Sequence, residues 1–76
     1  MTKKQIRDLL ESKRLPSPSV ARELRKDSGL SQSEMASLAG VTRQSIWAWE
    51  SGLAEPRGSN RQRYAEVLTE LKRLLP

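Results

Sequence analysis

The sequence predicts an all-α fold, a compact bundle of about five short helices. Three observations carry that expectation. Apolar residues recur at intervals of three and four, as in Met35, Leu38 and Ala39 or Tyr64, Val67, Leu68 and Leu71. Helix start signals precede these runs and glycines follow them, with Ser31 before and Gly40 after one, and Thr42 before and Gly52 after the next. Small residues, Ala36 and Gly40, stand where two helices could cross closely and the chain could reverse. With 76 residues the chain is expected to be one domain over 1–76. Within it, 2–14 is an extra N-terminal helix, 31–52 a central helix pair and 59–75 a C-terminal helix.

The first helix, 2–14, has Thr2 as its cap and a narrow apolar stripe of Ile6, Leu9 and Leu10 on an otherwise charged surface. The stripe suits docking on a core, and the charged surface would equally suit a basic arm along DNA. Leu15–Pro16–Ser17–Pro18 breaks this helix, since each proline disfavours helix in the residue before it. Pro18 can open a second helix with Ser17 as cap. That helix is expected to run to about Ser28, with Val20, Ala21 and Leu24 inward and Gly29 beyond its end.

The central stretch, LSQSEMASLAGVTRQSIWAWESG, runs from Leu30 to Gly52. Ser31 and Glu34 have the spacing of a capping box. Gly40 allows a sharp reversal, and Thr42 caps a helix over Arg43 to Ser51. Val41, Ile46 and Trp49 can fill the angle between the two helices. Together these features are the sequence form of a helix-turn-helix, whose second helix lies in the DNA major groove. After Gly52 comes a Pro- and Gly-containing loop, LAEPRGSN. Ser59 with Gln62 has capping-box spacing for a last helix. Its wide apolar face of Tyr64, Val67, Leu68, Leu71, Leu74 and Leu75 suits either core packing or a dimer seam.

Gln32, Met35, Ala36, Ala39, Gly40, Val41, Thr42, Ile46, Trp49, Glu50 and Gly52, with Pro56 beyond, make this stretch resemble the Cro/phage-repressor-like (XRE-type) helix-turn-helix family. A looser likeness extends from about Val20 to Leu75. The resemblance implies a lambda-repressor-like DNA-binding domain and double-stranded DNA as partner. It further implies a transcription regulator of bacterial or phage origin, with repressor and antitoxin-like roles both open, acting as a homodimer on a palindromic site. It implies a bridge between Arg25 and Glu50, and contacts to the DNA backbone from Gln32, Ser45 and Arg57.

A recognition helix presents its first residues to base edges, and Arg43 and Gln44 occupy those places. Arginine can donate two hydrogen bonds to guanine, and glutamine can match adenine. Thr42, like Gln32, sits at a helix start, where free N–H groups favour phosphate. Arg61 is a backbone candidate by position alone. Two residues depart from the family pattern. Ala48 replaces the polar base reader of many relatives and offers only apolar contact, such as to a thymine methyl. Trp47 replaces a smaller residue and should point off the core face. It could meet the sugar-phosphate edge, a protein partner or the last helix. A protein-interaction module using Trp47 and the C-terminal helix is therefore the alternative to a DNA reader.

The net charge is +5 and the pI about 10.3, which favours a polyanionic partner. Residues 1–19 carry +3, residues 20–56 carry −1 and residues 57–76 carry +3. The proposed reading unit is thus nearly neutral, and general attraction to phosphate should come from its flanks. With neither histidine nor cysteine, no zinc site, disulfide or Ser-His-Asp triad is expected. Glu23 with Asp27 and Glu66 with Glu70 are spaced four apart among arginines, as solvated helix surface would be. No phosphate-binding glycine loop is present. An enzyme and a cofactor are not expected. No apolar run approaches a membrane span of about 20 residues, so a soluble, cytoplasmic protein is expected.

Overall fold

Five helices follow one another in the computed structural model: α1 Lys3–Lys13, α2 Pro18–Asp27, α3 Gln32–Ala39, α4 Arg43–Ser51 and α5 Gly58–Leu74. It describes residues 2–75, apart from the side chains of residues 8, 9 and 11–13. Among the described residues there is no strand. Leu9, expected in the apolar stripe of α1, lies outside the described side chains.

Local hydrogen bonds explain most boundaries. Thr2 Oγ1 accepts from the Gln5 N–H at 3.1 Å, and the Gln5 side chain accepts from the Thr2 N–H at 2.7 Å. Ser17 Oγ accepts from the Val20 N–H, with Pro18 in the first turn of α2. Ser31 and Glu34 close a full capping box on α3. The Ser31 amide and hydroxyl hold the Glu34 carboxylate below the usual carboxylate range. Thr42 Oγ1 accepts from the Ser45 N–H at the start of α4. At the end of α3 the backbone turns left-handed at Gly40, φ 68°. There the Val41 N–H reaches Ala36 O at 2.9 Å and the Gly40 N–H reaches Ser37 O at 3.3 Å. This double closure satisfies carbonyls that the helix leaves open and demands a residue that tolerates positive φ.

The last helix starts differently from expectation. Arg57, not Ser59, occupies the cap position of α5, and no side-chain bond caps it. The chain enters through Gly58 at φ 58°, which places Ser59 already inside the first turn. The Gln62 amide donates along the helix to Glu66 instead of back to the cap.

α3 and α4 pack on each other, α2 packs on α4 and α5, and α5 also covers α3 and carries α1. The core between them is Ala21, Met35, Ala36, Ala39, Ile46, Trp49, Tyr64 and Leu68. Met35 and Ile46 are the largest fully buried side chains, and each contributes roughly 1.5–3 kcal/mol by leaving water. Trp49 and Tyr64 meet with ring centroids 4.8 Å apart, tying α4 to α5. Three apolar positions expected on inward faces are exposed. Val20 lies at the outer edge of α2 while Ala21 is buried, Leu38 lies outside the wedge that Met35, Ala36 and Ala39 fill, and Leu74 stands where α5 has run past the core. Ile6 and Leu10 of α1 also remain exposed.

Candidate nucleic-acid interface

The outward surface of α4 and the first turn of α3 form the site. Burial of Ile46, Trp49 and Glu50 fixes the rotation of α4. Gln44 points away from this buried stripe, and Arg43 and Trp47 flank it beside Glu50; all three are exposed, Trp47 with 52% of its surface open. Arg43 and Trp47, one helical turn apart, line an open groove of about 520 Å³ with Gln32 and Ser33 from α3 and Arg22 from α2. Arg22 and Ser33 were not among the expected site residues. The available signal was the spacing of Arg22 and Arg25, three apart on one face of α2.

Beneath this groove lies a charged pair. Arg25 Nε donates to Glu50 Oε2 at 2.7 Å, and Arg25 Nη2 donates to Glu50 Oε1 at 2.9 Å. The two side chains are 10% and 2% exposed. A third guanidinium hydrogen bond goes to Leu30 O at 2.8 Å, the carbonyl just before the α3 cap. Gln32 Nε2 adds a donor to Glu50 Oε1 at 3.3 Å. Hydrogen bonding to Glu50 holds the Arg25 pKa above its ordinary value, against the opposing effect of burial. The pair thereby joins α2 to α4, and the Arg25 and Gln32 bonds connect it to the start of α3. It fixes where the start of α3 sits relative to α2 and the end of α4. A planar guanidinium meeting a carboxylate through two bonds is geometrically exacting, which suits that role.

The other expected contacts are spread more widely. Thr42 and Ser45 face each other across the α4 cap, with their hydroxyl oxygens 3.0 Å apart. Ala48 is half-buried and lies outside the groove; its carbonyl accepts from the Gly52 and Leu53 amides. Arg57 is exposed at the start of α5. Arg61 is half-buried and lines a separate cleft with Leu15, Trp49, Pro56 and Tyr64, so the groove does not include it. Arg63 was also not anticipated. Its Nε donates to Ala39 O at 3.1 Å, supporting the end of α3 from α5. An added Cβ at Gly40 would lie 3.4 Å from that Nε, in ordinary contact, so the positive φ and not lack of space is what favours glycine there.

A short helix crossed by a second whose first turn is exposed, with an inter-helix ion pair beneath, defines the class: a helix-turn-helix protein. A family model described as helix-turn-helix matches residues 22–70. The chain belongs to that family, the Cro/C1-type (XRE) helix-turn-helix proteins, which are DNA-binding regulators. No curated protein and no solved structure matches the chain. Among the described residues no helix is long and apolar enough to cross a membrane, and no cluster of acidic residues could hold a metal ion.

Proposed function

We propose that the chain is a sequence-specific reader of double-stranded DNA and a transcription regulator, with residues 1–76 acting as one unit. α4 enters the major groove, Arg43 and Gln44 meet base edges, and Trp47 packs beside them on the sugar-phosphate edge. Ala48 offers a methyl to a neighbouring thymine. Gln32, Thr42, Ser45 and Arg57 hold phosphates, and Arg61 contributes from the flank. The protein binds as a homodimer on an inverted repeat. The observation that carries this reading is the exposure of Arg43, Gln44 and Trp47 along α4 while Ile46, Trp49 and Glu50 of the same helix are buried.

Selection of bound sequences from random duplex DNA at physiological salt tests it. Enrichment of an inverted repeat is expected. Arg43→Ala should then relax one base position by about 1–3 kcal/mol, with the rest of the site unchanged. Binding without any sequence preference would leave only a general DNA-coating role. The exposed indole of Trp47 favours one other reading, a protein partner seated in the same groove and competing with DNA. Affinity for DNA falls steeply as salt rises, whereas affinity for an apolar protein contact does not.

A further inference from the structure

A second groove lies on another face of the molecule. α2 contributes to both: Arg22 and Arg25 line the recognition groove, while Val20 and Leu24 line this one. Its volume is about 590 Å³, and its other walls are Arg14, Leu15 and Pro16 from the linker after α1, and Leu68, Thr69 and Lys72 from α5. Leu15, Leu24 and Leu68 belong to the core or pack against it, so the floor is continuous with the core. Val20, by contrast, is 49% exposed, a β-branched apolar side chain left at the edge of the slot. Among the described residues, the charged ones on the walls are Arg14 and Lys72, both exposed, and no described carboxylate lines the groove.

We propose that this groove is a docking site for an acidic amphipathic helix of a partner protein. The occupant lays leucine-like side chains along Val20, Leu24 and Leu68 and sets carboxylates against Arg14 and Lys72. Apolar anchors at helical spacing in a groove are a recurrent mode of helix recognition. Charge selects among occupants. A second copy seated groove to groove by a two-fold axis would bring Arg14 and Lys72 against their own counterparts. The segments that hold those residues, 1–19 and 57–76, each carry +3, which repels a like copy and attracts an acidic partner. DNA is disfavoured because Leu15, Leu24 and Leu68 make the floor apolar, and the polar groups on the walls, Arg14, Thr69 and Lys72, form no pattern that reads a base. Because the two sides of α2 serve different grooves, partner and DNA can be held together, and this surface stands apart from the DNA reading.

The test uses the full chain, isotopically labelled and titrated with a synthetic amphipathic helix. That peptide has leucines at i, i+3, i+7 and glutamates beside them. A second peptide carries lysine at every glutamate. Chemical-shift changes centred on Leu15, Val20, Leu24 and Leu68 are expected with the acidic peptide, with at least tenfold weaker binding of the lysine form. Val20→Asp combined with Lys72→Glu should weaken the acidic peptide at least tenfold while leaving the unfolding midpoint and the base preference of DNA binding in place, with DNA affinity lowered only by the change in net charge. Both side chains are exposed, so the variant should fold. Equal binding of the two peptides, or shifts confined to other faces, overturns the proposal. So does binding of phosphatidylglycerol vesicles without the peptide, or self-association that buries Val20.

Discussion

Two parts of this chain hold an arginine–glutamate pair, and their surroundings differ. In the α2–α4 region Arg25 and Glu50 lie 25 residues apart in sequence, buried and joined by two hydrogen bonds. Near the end of α5, Arg73 and Glu70 lie three apart on one helix, both well exposed and also joined by two bonds. The chemistry is the same, and each arginine is held above its ordinary pKa first by the hydrogen bond to its glutamate. What differs is what the bond has to overcome. The exposed pair exchanges one hydrated state for another and is screened by salt. The buried pair has given up hydration, so each member depends on the other. Its worth is best described as positioning: it holds α2, α3 and α4 in one arrangement, as the proposed reading of a base sequence requires.

The largest expected effect breaks the buried pair from one side. Glu50→Ala leaves the Arg25 guanidinium without its carboxylate and should cost about 3–5 kcal/mol. That is a large share of the stability of a domain this size. Glu70→Ala should leave the urea midpoint unchanged within error. Equal losses for the two variants would show that burial does not separate the pairs. Replacing Arg25 and Glu50 together by Met and Leu should recover much of the stability. DNA discrimination should not return with it if the pair positions the reading helices.

A smaller effect sharpens the comparison through backbone rather than charge. Gly40 and Gly58 both have left-handed backbones, one in the central turn and one at the start of α5. An alanine at either position pays about 1–2 kcal/mol for that conformation. At Gly40 the new Cβ would meet Arg63 Nε at 3.4 Å, an ordinary contact, and at Gly58 it would meet nothing within 4 Å. Thermal unfolding should therefore fall by similar amounts for Gly40→Ala and Gly58→Ala, since both carry the same backbone cost. Adding Arg63→Ala to Gly40→Ala should not restore stability; recovery would show that the side chain, not the backbone, sets the cost.

The same contrast explains what could be read without coordinates. Features closed within three or four residues were legible: the Ser31–Glu34 box, the Thr42 cap, the turn at Gly40 and the burial of Met35, Ile46 and Trp49. Helix periodicity and caps depend on neighbours in sequence. The α5 start departs from the local pattern because Ser59 and Gln62 have the spacing of a box, while the loop path through Gly58 decides which residue is the cap. Leu74 follows the helical repeat, but periodicity does not say where the core stops. The bond from Arg63 to Ala39 spans 24 residues and depends on how α5 crosses α3, which no local pattern encodes. The Arg25–Glu50 pair was accessible only through family resemblance. Arg22 enters the groove because of the crossing of α2 over α4, again a tertiary fact.

A smaller effect still concerns the one buried side-chain polar atom without a hydrogen-bond partner among the described residues, Tyr64 Oη. Burial, with Glu50 adding to it and Arg25 opposing, pushes the Tyr64 hydroxyl up to about 12. An unfolded tyrosine ionises near 10. Between about pH 10 and 12 the unfolded chain therefore releases a proton that the folded one keeps, so stability falls as pH rises through that window. Tyr64→Phe removes both the unpaired hydroxyl and this loss. It should be neutral, or stabilising by up to about 1 kcal/mol, at pH 7. Its advantage should widen above pH 10 in denaturant titrations. A clear loss of stability at pH 7 would show that the hydroxyl has a partner in solution.

The smallest effect lies at the opposite end of the pH scale and in the central region alone. Glu34 is fully exposed, yet the Ser31 amide and hydroxyl keep its carboxylate ionised below the usual range. A depressed carboxylate contributes stability that is present above its unfolded pKa and is lost as pH falls through the folded one. Glutamine keeps the acceptor of the box and removes the charge that the helix N-terminus favours. Glu34→Gln should therefore be slightly less stable than the parent at pH 7, and the two should converge as pH falls below the carboxylate range. High salt should shrink the difference at pH 7, because the charge sits in solvent. A gap that persists at pH 2 would assign the effect to side-chain shape rather than to charge, and the capping box would then act through its hydrogen bonds alone.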